Sequence, residues 1–191
     1  MQDNHGLSHG GKWTTFFAMI ATSIVTMFVL KYSNVYEPGH VFFSQTRMWM
    51  ALMMGCAMIV IMLGFMWGMY KTLATKILVM VGSVAGFALF LFLARSQATV
   101  DDEAWMKAMI PHHSIAVLTS ERAEISDPRV RELADAIIEA QVKEIAEMKL
   151  LLEDIEANGK RGDGTPIPPR STKLTPELME EAREAAQPLG D

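Results

Sequence analysis

Three uncharged apolar stretches, residues 13–30, 48–70 and 77–94, constrain this chain more than any other feature. Each is close to the roughly 20 residues that a helix needs to cross the hydrocarbon core of a bilayer. In lipid the backbone must satisfy its own hydrogen bonds, which leaves helices and closed barrels, and unbroken apolar runs of this length specify helix. The expectation is a three-pass anchor over residues 1–95. The first stretch is not expected to be a cleaved leader, because it exceeds the roughly 7 to 15 apolar residues of one. Lys31-Tyr32-Ser33 after it also offers no small-residue cleavage pattern.

The charge divides the chain in the same place. Residues 1–95 carry a net charge of +4 and residues 96–191 a net charge of −9. So acidic a tail repels phosphate backbones, whose binding depends on neutralisation by Lys and Arg, so nucleic acid is not an expected partner. The single cysteine, Cys56, lies inside an apolar run and is read as a small packing residue. Lys71 and Lys76 flank a tight turn between the second and third stretches, which favours a cytoplasmic turn and an extracytoplasmic acidic tail. Gly64-x-x-x-Gly68 and Gly82-x-x-x-Gly86 offer small-residue faces for helix packing. Met50, Met54, Met58, Met62 and Met66 recur every four residues, as a metal conduit or a polarizable packing stripe would. His5 and His9 near the amino terminus read as solvated.

After Arg95 the pattern becomes amphipathic. One helix is expected over 101–124, and Asp127-Pro128 then supplies an N-cap and a first-turn proline for a second over 128–157. Residues 158–173 read as a flexible linker, and a short helix capped by Thr175 should follow. The domains are therefore an anchor at 1–95, a helical hairpin at 96–157 and a tail at 158–191.

The chemistry concentrates in the hairpin. Met106, Met109 and His113 share one face of the first helix, with His112 on its flank and Pro111 expected to kink it. On the second helix an apolar stripe of Val130, Leu133, Ala134, Ile137, Leu151, Leu152 and Ile155 is interrupted by Gln141, Glu144 and Met148. Buried polar groups need partners, and folding the hairpin brings these three roughly level with Met109 to His113. Thioether with imidazole suits copper, especially Cu(I), better than Mg²⁺, Ca²⁺ or Mn²⁺. The candidate metal ligands are Met106, Met109, His112, His113, Glu144 and Met148, with Gln141 as an orienting group. No expected helix carries a Glu-x-x-His pair, and His-Glu-x-x-His, a Gly-rich phosphate loop and a nucleophile with its base are all missing, so an enzyme is not expected.

The segment from Trp105-Met106-Lys107-Ala108-Met109-Ile110-Pro111-His112-His113 through Gln141 to Met148 resembles the family called domain of unknown function 305. The resemblance implies a ferritin-like helical hairpin, half of a four-helix bundle, and for some members copper binding and copper tolerance in the bacterial cell envelope. Met109, His112, His113 and Met148 fall on its motif positions. Leu118 stands near where copper-binding relatives often carry another methionine, which implies a smaller thioether set here. The fold expectation is thus all-α, three transmembrane helices followed by this hairpin. The functional expectation is an extracytoplasmic copper-binding protein of the bacterial inner membrane, acting in sequestration, delivery or tolerance. The other reading is a structural or assembly subunit of a transporter or respiratory complex. A hairpin of this size is small for a self-sufficient core, so a homodimer is expected beside metal ion, membrane lipid and a possible membrane protein partner.

Overall fold

The computed structural model describes the backbone of residues 7–186 and the side chains of residues 12–186. His5 and the side chain of His9 lie outside them. The described residues form six helices and no strand: α1 (Leu7–Leu30), α2 (Gln45–Phe65), α3 (Leu73–Ser96), α4 (Asp102–Arg122), α5 (Pro128–Asn158) and α6 (Pro176–Ala185). The chain divides into two compact units, one of residues 1–34 and 41–111, the other of residues 35–40 and 112–191.

In the first unit three helices are long and apolar enough to cross a membrane, over Lys12–Leu30, Gln45–Phe65 and Leu73–Ser96. Most of their side chains are left uncovered by the chain itself; Phe65 is 91% and Leu78 73% exposed. Apolar surface on this scale is a feature of lipid or partner contact, not of a water-facing monomer. Helix α2 packs along α3 and, over a shorter length, along α1. Phe16, Ile20, Leu63 and Tyr70 form the buried centre, with Met58, Met62, Met66 and Met80 against it.

Two sequence readings change here. The second apolar stretch does not continue as helix to Tyr70: α2 ends at Phe65, and Trp67–Met69 form a 3-10 turn. Lys76 holds that turn, donating from Nζ to the Trp67 carbonyl at 3.1 Å and lying 4.4 Å from the centroid of the Trp67 ring. Nor do three of the four expected face glycines pack within the chain, since a Cβ at Gly64, Gly68 or Gly82 would meet nothing. The expected close approach is found at Gly86, where a Cβ would lie 3.0 Å from the Cys56 sulfur, and an unexpected one at Gly55, where it would collide with the Ile24 side chain. Cys56 is thus a packing residue, as its setting suggested. At the end of α3, Gln97 adopts the left-handed conformation (φ 55°) that glycine usually supplies at a helix C-terminus. Its side chain holds it there, Nε2 donating to the Ala94 carbonyl at 2.6 Å and Oε1 accepting from Thr46 at 3.1 Å.

The second unit joins the later part of α4 to α5, α6 and the short segment 35–40. Helix α4 runs unbroken through Pro111, whose ring is buried. The turn into α5 forms as its sequence specifies: the Asp127 carboxylate accepts from the Arg129 amide at 3.0 Å and Pro128 takes the first helical position. Paired hydrogen bonds to Arg129 pull the Asp127 carboxyl down to about 2. Arg131 reaches back to the Ser120 carbonyl at 2.9 Å, satisfying a terminal acceptor of α4. Helix α6 is capped by Thr175 and exposed along its length, and its end is tied to α5 by Arg129 donating to the Ala186 carbonyl at 3.1 Å.

The buried face of α5 is rotated from the expected stripe. Ala134, Ile145 and Met148 are buried, with Ile138, Gln141, Leu152 and Ile155 half-buried between them at alternating three and four residue steps. Val130, Leu133, Ile137 and Leu151 face outward instead.

Candidate metal centre

The second unit brings His113, Glu144 and Gln141 together, with Met148 one turn further along α5. His113, on α4, has a side chain only 12% exposed, and its Nδ1 lies 3.2 Å from Glu144 Oε2 on α5. The two atoms are close but not aligned for a hydrogen bond, so this ring nitrogen is buried without a hydrogen-bond partner. A carboxylate oxygen this close favours the tautomer that carries its proton on Nδ1, which leaves the lone pair on Nε2. Burial holds the His113 pKa below its ordinary value; the His112 ring pulls the same way, and Glu144 only partly opposes them. The imidazole is therefore neutral at neutral pH, the form that binds metal.

Gln141 donates from Nε2 to the same Glu144 oxygen at 3.4 Å, so that carboxylate is oriented from its own helix. Met148, four residues beyond Glu144, is buried on the same helix at 5% exposure. His112 is exposed; its ring centroid lies 6.1 Å from that of His113 and it turns off the buried face. Met106, nearly fully buried, and Met109, half-buried, stand on the earlier turns of α4 in the first unit.

Among the described residues no three His, Cys, Asp or Glu side chains converge.

Sequence reasoning missed the segment that closes over α4. Ser114 is fully buried; its Oγ accepts from the Tyr36 amide at 2.7 Å and lies 2.9 Å from His40 Nδ1. Ser114 Oγ donates to His40 Nδ1 or accepts from it according to the imidazole tautomer. The other ring nitrogen faces Glu37 Oε2 at 3.7 Å. Tyr36 also donates from its phenol to Glu121 at 3.0 Å, which raises the phenol pKa. Glu37-Pro38-Gly39-His40 does have Glu-x-x-His spacing, but on a 3-10 turn rather than on a helix. The only sequence signal was Ser114 itself, a small polar residue between Ile110 and Val117 on the buried side of α4.

Residues 93–187 match the family model described as Domain of unknown function (DUF305). The carboxy-terminal half of the chain resembles that family, as the motif around the His pair implied. An uncharacterized protein of Acanthamoeba polyphaga mimivirus is 36% identical over 74 residues, which is 38% of this chain and 49% of that protein. The chain thus spans about half the length of that relative. No solved structure matches.

Proposed function

We propose that this chain is a membrane-anchored, extracytoplasmic metal-binding protein that takes copper as cargo, with Cu(I) favoured. It serves sequestration, delivery or tolerance, not catalysis. The observation that carries the reading is the buried His113 imidazole, turned by Nδ1 toward Glu144, with Met148 buried one turn beyond that carboxylate. His113 and Met148 supply the first donors, and the sequence motif adds Met109 and Met106 as further thioether candidates. Glu144, oriented by Gln141, either supplies an oxygen or fixes the imidazole, and exposed His112 is placed to take up or pass on the ion. The bacterial inner membrane is the proposed location, the Lys71 to Lys76 turn being cytoplasmic and the acidic hairpin extracytoplasmic. The exposed apolar Ile137 and Leu151 on α5, away from the groove that Val130 and Leu133 share with α6, support pairing of two hairpins into a four-helix bundle.

The test is a Cu(I) competition titration of the full-length protein in detergent. The Met109→Leu, His113→Ala, Met148→Leu variant should bind at least tenfold more weakly at the hairpin. Unchanged affinity would refute the reading. The open Gly64 and Gly82 faces support a second reading, an assembly subunit of a membrane complex. A stoichiometric membrane partner retained by that same variant would favour it.

A further inference from the structure

The methionines of the membrane-spanning unit are unevenly placed. Eight of the 25 residues in 45–69 are methionine, against one of the 24 in α3. Both segments are apolar, so filling space against lipid does not account for the difference. Met50, Met54, Met58, Met62 and Met66 stand one helical turn apart, about 6 Å in rise per step, and Met58, Met62 and Met66 pack against the buried centre. At the end of this line the helix stops. The 3-10 turn pinned by Lys76 then sets Met69 beside Met66.

There the thioethers border open space. An open groove of about 350 Å³ is lined by Met19 from α1 and by Met66 and Met69, together with Lys12, Thr15, Phe16 and Tyr70. Methionine used as gap filler would occupy such a space; here three of them surround it. Met19 and Met69 are 38% and 43% exposed, so their flexible side chains are free to turn inward.

We infer that Met19, Met66 and Met69 form a second soft-metal site, a thioether cradle for Cu(I) or the like-charged Ag(I), in the membrane-spanning unit. Three neutral sulfur donors suit a soft monovalent ion and not Mg²⁺, Ca²⁺ or Zn²⁺, which need oxygen, nitrogen or thiolate ligands. Lys12 lines the same groove, and its ammonium opposes any cation there, a divalent one more than a monovalent one. The site takes up or releases the ion without redox change, by ligand exchange between thioethers. It shares a class of metal with the hairpin and does not depend on the hairpin binding it.

The test uses the full-length protein in detergent, kept reduced, with Cu(I) delivered by a chromophoric chelator and Ag(I) as the redox-inert check. Met19→Leu/Met66→Leu/Met69→Leu should lose one equivalent, or hold it at least tenfold more weakly, while His113→Ala/Met148→Leu retains that equivalent. Leucine is close in volume to methionine, so the fold should survive. Met27→Leu/Met80→Leu removes thioethers outside the groove and should bind as wild type does. A triple variant that titrates as wild type overturns the inference, as does an equal loss in the Met27/Met80 control. If the groove equivalent is lost in the triple variant and His113→Ala/Met148→Leu costs nothing, the groove site stands and the hairpin reading falls.

Discussion

Replacing Ser114 by alanine should release the segment 35–40 from the second unit. The hydroxyl is fully buried and serves two partners, the Tyr36 amide at 2.7 Å and His40 Nδ1 at 2.9 Å. Each intramolecular hydrogen bond is worth about 0.5 to 1.5 kcal/mol net, and a buried group left unsatisfied costs about 1 to 3 kcal/mol. Alanine leaves an amide and an imidazole nitrogen facing a methyl group, so closure of the segment should weaken by about 2 to 3 kcal/mol. At 1.4 kcal/mol per tenfold, that raises the open population roughly 30- to 150-fold. Amide hydrogen exchange on the full-length protein in detergent reads this directly, because local opening sets the exchange rate. Peptides covering 35–40 should exchange faster by that factor, while peptides from α2 stay unchanged as an internal control. Exchange within threefold of wild type would mean that Ser114 does not hold the segment. Because Ser114 follows His113 on α4, the same variant should also leave the imidazole less well fixed.

Acid should have the same effect by another route. Burial, and secondarily Lys149, hold the His40 pKa below its ordinary 6.5, with Glu37 opposing them. The open segment therefore binds the proton more readily than the closed one. Closure should be fully favourable above pH 6.5 and be lost as pH falls through the lowered value. Exchange in 35–40, corrected for intrinsic rates, should rise below pH 6.5 in wild type, and a pH-independent opening would contradict the assignment. In the membrane-spanning unit, Gly55→Leu should destabilise by about 1 to 3 kcal/mol through overpacking against Ile24. Gly64→Leu, whose Cβ meets nothing, should cost little. Equal thermal stabilities of the two variants in detergent would show that the α1–α2 contact is not set by Gly55.

Much of the fold was legible because it is written in local signals. The three apolar runs became α1, α2 and α3, and the Asp127-Pro128 and Thr175 caps opened α5 and α6 as expected. The end of α2 was not legible: Trp67 to Tyr70 are as apolar as the helix before them, and what stops it is Lys76 from the next helix. The phase of α5 was misread for a related reason. Val130, Leu133 and Ile137 are apolar but face outward, and the buried set runs through Ala134, Ile145 and Met148. Periodicity gives a stripe; which side of a wide stripe a single partner covers depends on packing. The segment 35–40 joins α4 through contacts 74 and more residues distant in sequence, which no pattern within either segment reveals. At the candidate centre, the register of Glu144 against His113 followed from hairpin geometry, and the exposed His112 lies on the flank where the helical period put it.

The central claim is that His113 is a copper ligand. X-ray absorption at the copper edge of the Cu(I)-loaded full-length protein tests it most directly, since imidazole scattering is distinct from that of sulfur and survives whatever thioether sites exist elsewhere. The expected wild-type spectrum contains a nitrogen shell at imidazole distance together with sulfur, and His113→Ala loses the nitrogen shell while sulfur remains. A wild-type spectrum with sulfur alone, or one that His113→Ala leaves unchanged, would contradict the claim.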